Sequence, residues 1–166
     1  MKPRLFLIGA VVLAALAPAA GAQDATYSIR LMTLETALKA ARAALKSCSD
    51  AGYQVAVAVV DRGGVTQVLL RDRFAGPHTP DMAVDKAWTA VSFRTNTADL
   101  AQLSAPGKPA SGVRHRPRVA SVGGGLMIQG GGALLGAIGV SGAPGGNLDD
   151  ECAKAGIAAI KESIEF

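Results

Sequence analysis

The chain has 166 residues, a formal net charge of +4 and only 4% aromatic residues. Half of that net charge is Lys2 and Arg4, so the rest of the chain lacks the broad basic footprint and the stacking platforms of a nucleic-acid binder. The length suits one domain with its own core.

The first predicted element is a leader. Lys2 and Arg4 form a positive start, residues 5–16 are an apolar run, and Ala20-Gly21-Ala22 is a small-residue cleavage site. This is the grammar of a secretory signal peptide over residues 1–22, cut before Gln23, with residues 23–166 as the mature domain. It predicts a periplasmic or secreted protein. The apolar run is short for a membrane span, and no other segment is long and apolar enough for one. An uncleaved anchor is the alternative.

After a polar lead-in, Thr33 is a helix cap. Leu34, Ala37, Leu38, Ala41 and Leu45 recur at helical spacing, giving a helix over residues 34–49 that Ala51-Gly52 ends. Residues 53–60 are Val-rich and alternate poorly, which reads as a strand buried on both faces. Asp61-Arg62-Gly63-Gly64 is a hairpin turn, and residues 65–71 are the returning strand. Thr79-Pro80-Asp81 starts a helix that runs through residues 82–93, and a short second helix begins at Thr97.

Residues 104–118 differ in character. They hold three prolines and two glycines with Lys108, Arg114, His115, Arg116 and Arg118, so no regular element fits. A basic loop of this length is usually functional or mobile. Residues 119–122 read as a short strand. The triple glycine Gly123–Gly125 then leads into a hairpin, with apolar runs at residues 126–128 and 133–140 joined by Gly130–Gly132. A small-residue loop over residues 141–146 delivers the chain to Asn147 as cap of a final helix over residues 148–162, striped by Ala153, Ile157, Ile160 and Ile164. Antiparallel hairpins separated by helices predict an α+β fold, a single antiparallel sheet of about five strands with helices packed on it.

The final hairpin, glycine loop and helix have two readings. Glycines there let backbone N–H groups approach a ligand, and a helix start favours anions. Equally, the glycines make tight turns and close packing. Ser141 and Gly142 open this loop as candidate ligand-binding residues. Ser141 is not read as a nucleophile, because residues 139–142 lack the full nucleophile-elbow pattern. Asp149, Asp150 and Glu151 suit the positive end of a helix dipole more than a metal site. No Walker loop, paired-His metal motif or nucleophile signature is present, so no catalytic residue is assigned. Cys48 and Cys152 lie near the end of the first helix and the start of the last. They pair if those helices pack antiparallel, or else are two small buried hydrophobes.

With these pieces in place, the chain resembles the GlcG/HbpS family of haem-binding proteins. The resemblance is carried by VAVAVVDRGGVTQVLLRD (residues 55–72), AGP (75–77), DKAWTAVSFR (85–94), GGGLMI (123–128) and GAIGVSGAPGGNLDDECAKAG (136–156), in the family's order. It implies a profilin-like α+β fold, haem as the cofactor in exported members, and homo-oligomers, often tetramers or octamers. Family members are linked to glycolate-utilisation operons and to corrinoid or haem-degradation contexts. With the leader, the resemblance points to an exported protein that holds haem or a related tetrapyrrole for sensing, storage or protection, with a sensor protein as a conceivable partner. The rival is an enzyme that degrades haem or acts on a small hydroxy- or keto-acid.

Haem needs an apolar slot, donors for its propionates and an axial ligand. His115 is the foremost candidate iron ligand, flanked by Arg114 and Arg116 as propionate partners, against the reading of a solvated basic loop. His78 is the second candidate, or a turn residue before its helix. Ser111 is a lesser oxygen ligand. Lys86 is either a cation facing the slot, paired with Asp85 or Asp61, or a solvated helix position. Trp88 reads as core more than as lining of a haem slot, and Arg71 and Arg94 as surface charges more than as propionate partners.

Overall fold

The computed structural model describes residues 27–165. The predicted signal peptide lies outside the described residues. No described helix is long and apolar enough to cross a membrane.

The order is α1 (Leu34–Asp50), β1 (Ala56–Asp61), β2 (Thr66–Arg71), α2 (Thr79–Phe93), α3 (Thr97–Leu103), β3 (Gly125–Gly130), β4 (Ala133–Ser141) and α4 (Gly146–Ile164), with a 3₁₀ turn at Ser111–His115. The strands form one antiparallel sheet in the order β2-β1-β4-β3. The sheet therefore has four strands, one fewer than the sequence predicts. Residues 119–122 do not pair in the sheet, and Thr89 on α2 binds the backbone at Ala120 and at the preceding Arg118 instead. The Thr89 hydroxyl accepts from Ala120 N and donates to Arg118 O.

Strand pleating explains the two layers. Val55, Val57 and Val59 face α1 and α4, while Ala56, Ala58 and Val60 face α2. All six are fully buried, as a central strand covered on both faces requires. Small residues set the spacing. A Cβ at Gly139 would run into the Ala83 backbone, so α2 lies directly on β4 there. On the other face, a Cβ at Gly156 of α4 would meet Ala40 O of α1 at 2.7 Å. Ala37, Ala40, Ala41 and Ala44 complete this close approach. β4 accommodates one extra residue, Leu135, where its pairing with β3 shifts between Ile128 and Gln129.

The helix packing also decides between the two cysteine readings. Cys48 and Cys152 are bonded, with Cα atoms 5.4 Å apart, tying the end of α1 to the start of α4. Thr33 caps α1 as predicted, its hydroxyl accepting from Thr36 N. α3 begins at Thr97 as predicted, and the other two starts differ by one or two residues. α2 begins at Thr79 with His78 in the cap position, and α4 begins at Gly146 with Gly145 as its cap instead of Asn147.

The basic loop is more tightly held than its composition predicts. Arg114 donates to Ala101 O on α3. Arg118 pairs with Asp85 at 3.1 Å and lies over the Trp88 ring, 4.7 Å from its centroid. Trp88 is thus not a core residue but a half-buried platform for the loop.

Candidate functional site

Along β4 the pleat that sets Gly139 under Ala83 turns Ser141, two residues on, to the same face. That end of the strand lies beneath the first turn of α2 and beside the start of α4. The result is a cleft of about 340 Å³, open at the surface and lined among others by His78, Met82, Lys86, Ser141, Gly142 and Asp149. Four of the residues singled out from the sequence, His78, Lys86, Ser141 and Gly142, meet here from two separate stretches of chain.

Lys86 forms the deep wall. It is 3% exposed, and its ammonium donates to Val140 O at 2.9 Å and to Asp149 Oδ2 at 2.7 Å. The expected partners Asp85 and Asp61 are engaged elsewhere. Asp85 pairs with Arg118, and Asp61 caps its own hairpin turn by accepting from Gly63 N and Val65 N. Lys86 is neither a solvated position nor a free cation. It is half of a buried ion pair joining α2 to α4.

Asp149 is equally enclosed, and its second oxygen accepts from Ala143 N at 3.0 Å. Burial pushes its carboxyl above the ordinary carboxylate value. The Lys86 hydrogen bond and charge pull it back, and burial prevails. Asp150 turns the other way and accepts from Gly124 N at 2.6 Å; burial raises it too, against that hydrogen bond. Glu151 pairs at the surface with Lys154. The three adjacent acids thus serve three different partners. The dipole reading describes them incompletely, because Asp149 and Asp150 are structural ligands for α2 and for the glycine segment.

The triple glycine is explained by the same junction. A Cβ at Gly123 would meet Gly146 O at 2.7 Å, one at Gly124 the Lys86 ammonium at 2.7 Å, and one at Gly125 the Lys86 carbonyl at 2.5 Å. Gly124 also has φ +113, which disfavours any side chain. These glycines let the segment thread between α2 and α4, so the close-packing reading holds for them. None of the three lines the cleft.

His78 stands at the rim, exposed, its ring folded over Gly76, where a Cβ would come within 2.8 Å of the imidazole Cε1. Met82 and Val122 add exposed apolar surface beside it. The other three predicted site residues lie in the 3₁₀ turn at residues 111–115 and just beyond it. His115 and Arg116 are exposed, Arg114 is half-buried against α3 with its Nε lacking a partner, and none of the three lines the cleft. Ser111 also lies in that turn. Arg71 is exposed and donates to Ala75 O, holding the β2–α2 connection. Asp149 was missed from the sequence as a site residue. Its only signal was position, since an acid at the start of a helix looks the same whether it faces solvent or a lysine on another element.

With that geometry in hand, comparison with known proteins places the chain. The model of the HbpS-like family, described as haem degrading protein HbpS-like, matches residues 32–158, and the chain belongs to that family. A crystal structure of a double mutant of Streptomyces reticuli HbpS is 42% identical, with a TM-score of 0.78 over 88% of this chain and 98% of that one. A crystal structure named as a PduOC:haem complex is 30% identical, with a TM-score of 0.75 over 79% of this chain and 96% of that one. Among curated proteins, the corrinoid adenosyltransferase PduO of Salmonella typhimurium is 33% identical over 123 residues, 72% of this chain but 36% of that protein. The chain thus spans about a third of that enzyme's length.

Proposed function

We propose that this chain is an exported haem-binding protein, an oligomer that holds haem or a related tetrapyrrole for sensing, storage or protection. One observation carries the reading. In a member of a haem-related family, a histidine, apolar rim residues and polar donors converge on one open cleft. The haem complex named for a relative with the same fold supports it.

The cleft fits one edge of such a ligand. Its volume is at the low end of small-molecule sites, about 300–1,000 Å³, and it opens outward, so a macrocycle seated there would extend past the rim. His78 would face the iron, Met82 and Val122 the ring edge, and the Ser141–Gly146 side the carboxylates. Bound haem would supply the redox chemistry of its iron. A second copy of the chain closing over the protruding face fits the expected homo-oligomer, and the leader supports export.

Haemin titration of the full mature chain tests this. The expected result is a Soret shift with saturable stoichiometry, and its absence overturns the proposal. His78→Ala and His115→Ala assign the ligand, since only the variant that loses an iron bond changes the spectrum. The family's description as haem-degrading favours a second reading, turnover of haem. Loss of the Soret band with release of iron on adding a reductant would establish it.

A further inference from the structure

We infer that the inner end of this cleft is a seat for a carboxylate, built by the Ser141 hydroxyl and the backbone N–H groups at the start of α4. The inference deepens the haem reading by naming the chemical group gripped, and it extends to short organic acids as free ligands.

Ser141 is the observation that points to a ligand. It is 5% exposed and lines the cleft, yet its hydroxyl bonds to no described residue. The other buried hydroxyls are all engaged. Thr79 bonds Gly76 O, Thr89 bonds Arg118 O, Thr97 accepts from Gly125 N, and Ser104 bonds Leu100 O. The residue is enclosed, but its oxygen is not a buried atom, so the free hydroxyl opens onto the cleft.

The second set of donors stands beside it. Gly145 N and Gly146 N, which line the cleft, and the next amide, Asn147 N, bond no acceptor among the described residues, whereas Leu148 N and Asp149 N already bond Gly145 O. These unpaired N–H groups sit at the positive end of a nineteen-residue helix. Lys86 adds a third donor. Its ammonium has three N–H groups, and Val140 O and Asp149 take two.

Nearby acids do not cancel this. The Asp149 charge is met at 2.7 Å by Lys86 and from the other side by Ala143 N, while Asp150 is turned to Gly124 N. The serine hydroxyl, the amides and the lysine ammonium are all donors, and of these only the hydroxyl can also accept, so together they match a group that accepts. A carboxylate does so and carries the charge that the helix start favours.

Two sources supply that chemistry, a tetrapyrrole propionate and a free short hydroxy- or keto-acid, and one experiment separates them. Amide resonances of the ¹⁵N-labelled mature chain are followed during titration with sodium glycolate. In parallel, haemin is compared with its dimethyl ester, which lacks free carboxylates. Shifts at Gly145, Gly146 and Asn147 with glycolate support a free-acid seat. Weaker binding of the ester than of haemin supports a propionate seat. In either case Ser141→Ala should weaken the carboxylate ligand about 10–100-fold, the loss expected for a hydrogen bond to a charged group. The near-isosteric Ser141→Cys should follow it, while Ser163→Ala on the exposed side of α4 should not. Glycolate that moves none of these amides, together with equal binding of haemin and its ester, overturns the inference. That outcome leaves the haem reading standing, because haemin still binds. Absent haemin binding with intact glycolate shifts does the reverse.

Discussion

Replacing Lys86 by Met is the most informative perturbation of this fold. The ammonium and the Asp149 carboxylate are 3% and 4% exposed as side chains and 2.7 Å apart. Removing one member of such a pair leaves a buried charge uncompensated, which costs about 3–5 kcal/mol. For a chain of this size that is on the order of 10 °C in Tm. The pH dependence gives the argument its sign. Asp149 is already raised by burial, and Lys86 is the chief influence pulling it back. Without Lys86 its folded pKa climbs further above the unfolded value of about 4. A carboxyl raised in the folded state contributes stability fully present below the unfolded pKa and lost as pH rises through the folded one. The wild type loses that contribution over a narrow span, and Lys86→Met loses it over a wider one. The stability gap should therefore be large at pH 7 and close as pH falls toward 4. Urea unfolding at several pH values reads it directly, with the midpoint moving at constant m. The double variant Lys86→Met with Asp149→Leu should recover most of the loss, because a packed apolar pair can replace a buried ion pair at little cost. A gap that does not change with pH, or one below about 1 kcal/mol at pH 7, would refute the reasoning.

Three further outcomes follow from the packing. The Cys48–Cys152 bond closes a loop spanning 104 positions, so the Cys48→Ala, Cys152→Ala double variant should lose about 2–5 kcal/mol. A urea midpoint that dithiothreitol lowers in the wild type and leaves unchanged in the variant checks this. Gly139→Ala places a methyl against the Ala83 backbone and should cost about 1–3 kcal/mol by pushing α2 off β4, read as a lower Tm. Arg118→Ala uncovers Trp88, the only tryptophan in the chain. Its emission should move to longer wavelength, while stability changes by no more than about 1 kcal/mol, as for an exposed ion pair and cation–π contact.

The fold was legible where local pattern and burial agree. The Val-rich stretch before Asp61, the Thr33 cap and the Gly130–Gly132 turn each carry their own signal and appear where expected. Misreadings cluster where a side chain from afar supplies the partner. Residues 119–122 look like a strand, but Thr89 binds the backbone there, at Ala120, from 31 positions away. Asp149 looks like a dipole acid, but its partner Lys86 is 63 positions distant. Trp88 looks like core, yet Arg118 gives it a different role. Helical spacing reports which face of an element is apolar. It does not report which buried polar group on one element finds its match on another.

The site follows the same division. Its residues were recognisable singly, yet the sequence offered two rival centres, the glycine unit and the basic loop at Arg114–Arg116. The structure brings four of the candidates together at the first and leaves the loop's His115 and Arg116 in solvent. It also reassigns the glycines. Gly123–Gly125, the most conspicuous motif, hold the segment between Lys86 and Gly146, whereas the less conspicuous Gly145 and Gly146 leave backbone donors unpaired beside Ser141. The Lys86–Asp149 pair connects these roles. It fixes the first turn of α4 against α2, so the donors of the cleft are set before a ligand arrives. Preorganised donors lose little entropy on binding. A buried ion pair that adds little net stability is then best understood as what fixes the shape of the cleft.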